Sequence, residues 1–377
     1  MKKMGSLLAA ILCVVSLALS CKADSDTVPI GAIFPLSGAV AYYGNESRDG
    51  ALLALEEINA AGGLLGKKLA MISEDNEGSV AKTVSAFTKL TGKDKVSIIL
   101  GSSTSGPTQA ISALAQRNRV VLISPSATNI DITKAGDFIF RACFIDSFQG
   151  VVGAHFAYQT LGSRRAAVLY ADADYNAGLA EAFKTQFGAL DGEIVADETY
   201  QAGDEDFDAQ ITRIKAAGPD IVYLPNYYND VSLQAKQFRD RGVTCALVGG
   251  DGWDSLIDYA GDEALNGFWS SGFAADTTDL RGAAFVQAFQ ARFNRPASLF
   301  AALGYDAMML AADGIKAAGT FDSTAVKDAM AQLNGAYVTG NIRFDSDRNP
   351  IKSAAIFEIV RKDGRLANVY KTTVNPQ

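Results

Sequence analysis

Short apolar runs with the composition of β-strands alternate along most of the chain with longer segments whose apolar residues recur at helical spacing. The pattern begins with a strand at residues 28–34 and a helix at 48–59, and it continues to a strand at 245–248. Strands that alternate with helices in this way are typical of βαβ units, whose parallel sheets are covered by helices on both faces. The sequence therefore predicts an α/β fold with mainly parallel sheets.

Two further features of the pattern concern its organisation. The chain has 377 residues, which leaves room for about two domains of ~100–200 residues each. A hinge-like stretch at residues 138–142 interrupts the alternation, which then resumes. After Trp269 the pattern changes to three helical segments and two closing strands, which we expect at residues 280–293, 299–317, 323–333, 353–360 and 367–372.

The N-terminus has the layout of a secretory signal. Two lysines precede an apolar run at residues 7–19, which is shorter than the ~20 apolar residues needed to span a bilayer. The run ends in Leu-Ala-Leu-Ser followed by Cys21, which resembles a bacterial lipobox. We therefore predict a signal peptide at 1–20, lipidation of Cys21 and a polar tether at 21–27. The protein would be exported and anchored by lipid, in the periplasm or at the outer face of the cell membrane. The alternative is an ordinary signal peptide that contains a cysteine.

Composition argues against several classes of function. The net charge is −8 and no cluster of Lys or Arg offsets it, so no nucleic-acid-binding surface is expected. His155 is the single histidine, which removes most histidine-based catalysis and most zinc sites. The Gly-Lys pair at 66–67 is not part of a P-loop, because Ala61 and Lys68 stand where that motif needs Gly and Ser/Thr. No nucleophile elbow surrounds Ser103 or Ser105. We predict no enzymatic activity, no cofactor and no metal site.

Cysteine usage leaves one question open. Once a signal peptide is removed and Cys21 is lipidated, Cys143 and Cys245 remain. An exported protein permits a disulfide between them. Two isolated thiols that behave as small apolar side chains are the alternative.

The residues that follow the predicted strands differ between the two halves of the chain. In parallel sheets, ligands bind just beyond the carboxyl ends of the strands. In the first half these positions carry uncharged hydroxyls and glycines, as in residues 101–108 and 124–129. In the second half they carry aromatics and acids, as in residues 172–175, 226–230 and 250–254. Free N–H groups at helix starts suit a carboxylate and an acid suits an ammonium, so the pattern predicts a site for an amino acid whose apolar side chain the aromatics cover.

Each of these features also has a purely structural interpretation. Ser105 and Thr128 could cap helices, and the tyrosines of the loops could be core residues. Asp251 and Asp254 fit no dedicated metal-binding loop and could be solvated loop acids or helix caps. The functional prediction depends on the recurrence of such residues at equivalent strand ends.

Four segments together resemble a known family. They are Ile-Phe-Pro-Leu-Ser-Gly at 33–38, Glu-Ile-Asn-Ala-Ala-Gly-Gly-Leu-Leu-Gly-Lys at 57–67, Ser-Pro-Ser-Ala-Thr-Asn at 124–129 and Gly-Asp-Gly-Trp-Asp at 250–254. They are similar to segments of the extracytoplasmic substrate-binding proteins of branched-chain amino-acid ABC transporters, the leucine/isoleucine/valine-binding type, and the similarity covers essentially all of the mature chain. The resemblance implies a type I periplasmic-binding-protein fold, in which two α/β lobes joined by three crossovers close on a ligand. It also implies delivery of an amino acid to a membrane-embedded ABC permease, and we expect the protein to be a monomer.

The resemblance divides the chain between the two lobes. One lobe would contain residues 28–143 and 273–340, and the other would contain residues 144–272 and 341–377. Related branches bind amides, urea or aromatic acids, and the same fold can serve as a sensor module that feeds a receptor. The ligand and the downstream partner therefore stay open at this point.

The resemblance also assigns ligand-binding roles. Ser105, Ser126 and Thr128 would hold the α-carboxylate and amino group from the first lobe, and Asp251 would take the ammonium. The remaining roles are an aromatic enclosure and side-chain pocket, formed by Tyr43, Tyr175, Tyr227 and Phe300. The family often has Glu where Asp251 stands, so the ammonium would sit deeper or use a water. The cysteines of a first-lobe disulfide, found in one type of family member, are absent from this sequence.

Overall fold

The computed structural model describes residues 27–275 and 280–375. The predicted signal peptide and the predicted lipidation site at Cys21 lie outside the described residues. Within the described ranges, no helix has both the length and the apolar character that a membrane crossing requires.

The first half of the chain builds a five-stranded parallel sheet. Its strands are β1 Thr27–Phe34, β2 Lys68–Asp75, β3 Ile98–Gly101, β4 Val121–Ser124 and β5 Ile139–Arg141. They lie in the order β2-β1-β3-β4-β5. The short strands β3 and β4 are apolar and fully buried because helices cover the sheet on both faces. The stretch that the sequence marked as hinge-like forms the edge strand β5.

The rest of the chain builds a second, seven-stranded sheet and a separate hairpin. The strands are β6 Arg165–Ala171, β7 Glu193–Tyr200, β8 Ile221–Leu224, β9 Ala246–Gly249, β10 Gly267–Ser271, β11 Asn334–Tyr337, β12 Gly340–Arg343, β13 Ala354–Lys362 and β14 Arg365–Val374. The sheet order is β14-β13-β10-β9-β8-β6-β7, and β11 pairs with β12 alone. The pairs β10–β13 and β13–β14 are antiparallel, whereas the others in this sheet are parallel. The predicted α/β architecture with mainly parallel sheets is confirmed.

Helices flank both sheets. They are α1 Ala41–Ala60, α2 Val80–Gly92, α3 Ser105–Asn118, α4 Asp131–Lys134, α5 Asp146–His155, α6 Asp174–Ala189, α7 Asp208–Ala217, α8 Tyr228–Asp240, α9 Leu256–Tyr259, α10 Leu280–Phe293, α11 Leu299–Ala318 and α12 Ser323–Met330. Helix α5 continues into a π-helical turn at Phe156–Thr160, and 3₁₀ turns lie at Asp251–Trp253 and Asp262–Ala264. Helix α11 begins with a side-chain cap, because Ser298 Oγ accepts a hydrogen bond from the Ala301 N–H at 3.0 Å.

Close packing of α1 on α11 positions two parts of the candidate site. A Cβ atom on Gly50 would lie 1.9 Å from the Ala301 carbonyl oxygen, and one on Gly304 would lie 2.0 Å from the Ser47 carbonyl oxygen. The two backbones approach this closely because neither position carries a side chain. The N-terminal halves of the two helices are therefore in direct contact.

Candidate functional site

A small cavity lies between the two sheets, at the carboxyl ends of their parallel strands. It is narrow in this arrangement, with room for only about 10 Å³, and it is lined by Tyr43, Ser103, Ser105, Ser126, Tyr175, Tyr227, Asp251, Gly252 and Phe300. Ser103, Ser105 and Ser126 follow strands β3 and β4, whereas Tyr175, Tyr227 and Asp251 follow β6, β8 and β9. Tyr43 and Phe300 come from the starts of α1 and α11. The structure thus brings together every residue that the sequence assigned to ligand binding except Thr128.

The wall of the cavity on the side of the first sheet is made of uncharged polar groups. Ser126 Oγ donates a hydrogen bond to the Ser103 carbonyl at 2.7 Å, and the Asn129 N–H donates to Ser105 Oγ at 3.3 Å. Ser105 is the first residue of α3, where backbone N–H groups have no partner within the helix. Such a helix start favours an anionic group.

Thr128 lies behind this wall rather than in it. It is 1% exposed, and its carbonyl accepts a hydrogen bond from the Asp146 N–H at 3.0 Å. The buried guanidinium of Arg141 donates to the carbonyls of Ala127 and Asn129 at 2.9 and 2.8 Å. Arg141 therefore holds the loop that carries Ser126 and Thr128, a role that the sequence did not indicate.

Asp251 provides the acid of the opposite wall. Its Oδ1 atom accepts hydrogen bonds from the Tyr175 hydroxyl at 3.0 Å and from Gln149 Nε2 at 3.2 Å. Burial raises the pKa of Asp251 to about 6, although the bonds from Gln149 and Tyr175 oppose the shift. Gln149 is itself fixed, because its Oε1 accepts from Ser270 Oγ at 2.9 Å. The side chains that bond to Asp251 are neutral, so a cationic ligand group would provide a positive partner for its carboxylate.

A second buried acid, Asp146, lies near Asp251 at the start of α5. Asp146 is 2% exposed, and its carboxylate oxygens have no well-formed hydrogen bond. Burial raises its pKa to about 8, the nearby Thr128 hydroxyl lowers it, and the charge of Asp251 raises it further. In the sequence Asp146 has the pattern of an ordinary first-turn helix acid, so its burial could not be predicted. The cavity therefore lies in a strongly acid-rich environment.

Aromatic rings close the cavity. Tyr175 and Tyr227 are stacked, with ring centroids 4.8 Å apart, and Tyr43 lies 4.3 Å from Phe300 and 5.4 Å from Tyr227. Rings at these separations bury large apolar areas and exclude water. They can cover an apolar portion of a small ligand.

Direct hydrogen bonds join the two walls. The Tyr43 hydroxyl donates to the Gly252 carbonyl at 2.7 Å and accepts from the Tyr228 N–H at 3.3 Å. On another edge, Asn129 Nδ2 donates to the Asp174 carbonyl at 2.8 Å. The structure therefore has the two sheets in a closed arrangement around the site.

Other residues considered in the sequence lie away from this cavity. Cys143 and Cys245 are free thiols, so the structure contains no disulfide between them. His155 ends α5, where its Nε2 atom is 3.3 Å from Gln186 Nε2. Asp254 is half-buried and receives a hydrogen bond from Tyr42, so it is not the solvated acid that its loop position suggested.

The structure has two helix-flanked sheets with a small cleft between the carboxyl ends of their parallel strands. This arrangement is that of two-lobed solute-binding proteins. The sequence model of the Periplasmic binding protein family matches residues 27–365, and the chain belongs to this family. The resemblance drawn from the sequence motifs is confirmed. The members of this family are substrate-binding proteins that function in transport, and it is not a family of enzymes.

Individual relatives support this assignment. The chain is 35% identical over 324 residues to the Leu/Ile/Val-binding protein BraC3 of Rhizobium johnstonii. The alignment covers 84% of this chain and 87% of that protein. It is similar to the structure of the branched-chain amino acid transporter substrate binding protein LivJ of Streptococcus pneumoniae in complex with isoleucine, with 38% identity, a TM-score of 0.84 and coverage of 93% and 100%. It is also similar to a solute binding protein of an ABC transporter from Rhodopseudomonas palustris in complex with 3,4-dihydroxy benzoic acid, with 25% identity, a TM-score of 0.85 and coverage of 93% and 98%.

Proposed function

We propose that this protein captures a branched-chain or other hydrophobic amino acid between two lobes and delivers it to an ABC permease. The observation that carries the proposal is the polarity of the cavity. Hydroxyls and the start of α3 form one wall, and a buried acid forms the other. A zwitterion matches both walls, because its carboxylate meets hydrogen-bond donors and its ammonium meets Asp251.

The acids favour an amino acid over an aromatic carboxylic acid such as the one bound by the R. palustris protein. Among the described residues, no Lys or Arg side chain lines the cavity. A ligand whose only charge is a carboxylate would leave Asp251 without a counter-ion and would face the second acid, Asp146. Burial of an unpaired charge is costly, and like charges at short range repel.

The lining of the cavity favours an apolar side chain on the ligand. Tyr43 and Phe300 form an apolar corner beside the polar walls. Burial of a branched aliphatic group there would contribute ~25 cal/mol for each Å² of apolar surface removed from water.

The two sheets would be the centres of the two lobes. We assign residues 28–143 and 273–340 to the first lobe and residues 144–272 and 341–377 to the second. The boundary at 340/341 falls inside the β11–β12 hairpin, whose Tyr337 hydroxyl donates to Asp313 of α11 at 3.1 Å. We therefore place the third crossover a few residues later, beyond Arg343. Binding would select the closed arrangement, since ligand contacts from both lobes exist only there.

The remaining parts of the proposal concern the setting. The protein would be exported, anchored through Cys21, monomeric, and without a reaction of its own, so that no bond in the ligand is made or broken. A sensor module of the same fold is the second candidate, and it would bind the same ligand. Uptake of labelled leucine by cells with and without the chain separates transport from sensing, because a sensor would leave uptake unchanged at first exposure.

Calorimetric titration of the purified protein tests the ligand class. The titrants are the twenty amino acids, benzoate and 3,4-dihydroxybenzoate. We expect saturable binding of leucine, isoleucine or valine and none of the two aromatic acids. Binding of aromatic acids alone, or of no amino acid, would contradict the proposal.

A further inference from the structure

The second acid of the Gly-Asp-Gly-Trp-Asp segment makes a contact across the cleft that does not involve the ligand cavity. Asp254 Oδ2 accepts a hydrogen bond from the Tyr42 hydroxyl at 3.0 Å, although the two residues are 212 positions apart. Tyr42 belongs to α1 on the first-sheet side, whereas Asp254 follows the 3₁₀ turn after β9 on the second-sheet side. Both side chains are half-buried, and neither lines the cavity.

The first-sheet side provides hydrogen-bond donors for the Asp254 carboxyl group. Besides Tyr42, the backbone N–H of Leu299 at the start of α11 lowers the pKa of Asp254, while burial raises it to about 7. Glu46 of α1 is the like charge nearby, and it also raises that pKa. Glu46 accepts a hydrogen bond from Ser298 Oγ at 2.6 Å and forms an ion pair with Arg295. A helix start and a hydroxyl thus receive the acid while Arg295 compensates the neighbouring carboxylate.

The turn that carries Asp254 also carries Asp251, and packing holds it rigid. Trp253 is 1% exposed, and its indole N–H donates to the Leu224 carbonyl at 3.0 Å. A Cβ atom on Gly249 would lie 2.1 Å from the Trp253 ring, so the ring fills the space beside β9. Because Asp251 and Asp254 sit on one packed turn, the position of one fixes the position of the other.

We propose that the Tyr42–Asp254 contact is a latch that stabilises the closed cleft and thereby sets the affinity and residence time of the ligand without touching it. The inference rests on the proposed function and adds two positioning residues to it. A contact that joins the two lobes must break before the ligand leaves, so it contributes to affinity through the population of the closed state. Tyr43 differs from Tyr42 in this respect, because Tyr43 lines the cavity as well as crossing it.

A double-mutant cycle with L-leucine tests the latch. The variants are Tyr42→Phe, Asp254→Asn and the double variant. The matched controls are Tyr370→Phe, an exposed tyrosine of β14, and Asp258→Asn, an exposed acid of α9. Calorimetry gives Kd, stopped-flow gives the dissociation rate, and urea unfolding of the ligand-free variants reports stability.

We expect each single variant to raise Kd roughly tenfold, as for loss of one hydrogen bond to a charged group, mainly through faster dissociation. The double variant should be no weaker than either single variant, because both remove the same contact. The controls should bind as the wild type does, and unfolding of the ligand-free variants should stay close to wild type. Additive losses, or unchanged Kd and dissociation rate in a protein that binds leucine, would overturn the latch. Failure of the wild type to bind any amino acid would instead refute the proposed function.

Discussion

Asp251 is the residue on which the proposed ligand chemistry depends most directly. It is buried in the cavity wall, and its protein partners are the neutral side chains of Tyr175 and Gln149. Loss of a buried partner of a charged ligand group costs on the order of 2–5 kcal/mol. We therefore expect Asp251→Ala to weaken amino-acid binding by that amount in calorimetry. Asp258→Ala is the control, and an Asp251→Ala protein with wild-type Kd would remove the ammonium role.

The raised pKa of Asp146 leads to a prediction about pH and stability. Its folded-state pKa is about 8, against an ordinary value of 3.8, so between these values the folded state binds more protons than the unfolded state. The contribution of Asp146 to the stability of the protein should therefore fall as pH rises from about 4 to 8, by up to about 1.4 kcal/mol per pH unit. Asp146→Asn should reduce that slope and be the more stable protein at pH 8. Urea unfolding at several pH values measures both, and parallel curves for the two proteins would contradict the assignment.

At the residue scale, much of the site could be predicted because strand ends are visible in the sequence. Ser105, Tyr227 and Asp251 follow apolar runs, and parallel sheets bring such positions to one edge. Gln149 and Arg141 could not be found in this way. Their functions depend on which loop folds against them, and one sequence carries no signal for that contact.

At the scale of elements, the α1–α11 pair connects packing to the site. Gly304→Ala would place a Cβ atom 2.0 Å from the Ser47 carbonyl oxygen, and backbone cannot move aside as a flexible side chain can. We expect a loss of about 1–3 kcal/mol in the free energy of unfolding, together with weaker ligand binding, because Tyr43 and Phe300 are displaced relative to each other.

Gly188→Ala provides the matched control for this helix-glycine substitution. Gly188 also lies in a helix, α6, but a Cβ atom there would meet nothing within 4 Å. That change should be neutral or stabilise by about 0.5–1 kcal/mol, since alanine favours the helix. Equal effects of the two substitutions in urea unfolding would show that the close approach of α1 and α11 is not the cause.

Elements with strong apolar periodicity could be predicted, and those formed by tertiary packing could not. The helix at Leu280–Phe293 has the predicted bounds. Helix α1 instead begins at Ala41, seven residues before its predicted start, because the polar and glycine-containing first turns are buried against neighbours. Strand β10, which reads Gly-Phe-Trp-Ser-Ser, was not predicted, since its serines are buried by position in the sheet rather than by hydrophobicity.

For the molecule as a whole, the predicted lipid anchor decides where binding takes place. A protein with Cys21 acylated would be labelled by a palmitate analogue fed to the cells that make it, because the acyl chains are bonded covalently to the protein. Those chains would hold it at a membrane with ~0.8 kcal/mol for each buried CH₂ group. We expect label on the wild type and on Cys13→Ser, and none on Cys21→Ser. An unlabelled wild type would favour an ordinary signal peptide.

A buried lysine joins the segments that we propose as the first and third crossovers between the lobes. Lys352 Nζ donates to the Ala142 carbonyl at 2.9 Å and contacts the Thr339 hydroxyl, which in turn hydrogen bonds to Asp306. Asp306 also accepts the Thr339 N–H at 2.9 Å. The segments that we propose as the first and third crossovers are thus held to α11 at one point. We therefore expect relative motion of the lobes to be confined to a hinge there.

Such a hinge predicts a change of overall shape on binding. Small-angle scattering of the purified protein should show a smaller radius of gyration with saturating L-leucine than without it, because contacts such as Tyr43–Gly252 join the lobes only when they are closed. Asp251→Ala at the same leucine concentration should remain in the ligand-free form, since it lacks the partner for the ammonium. If calorimetry shows leucine binding while the radius stays constant, the lobes do not close on the ligand, and affinity must come from a preformed cavity instead.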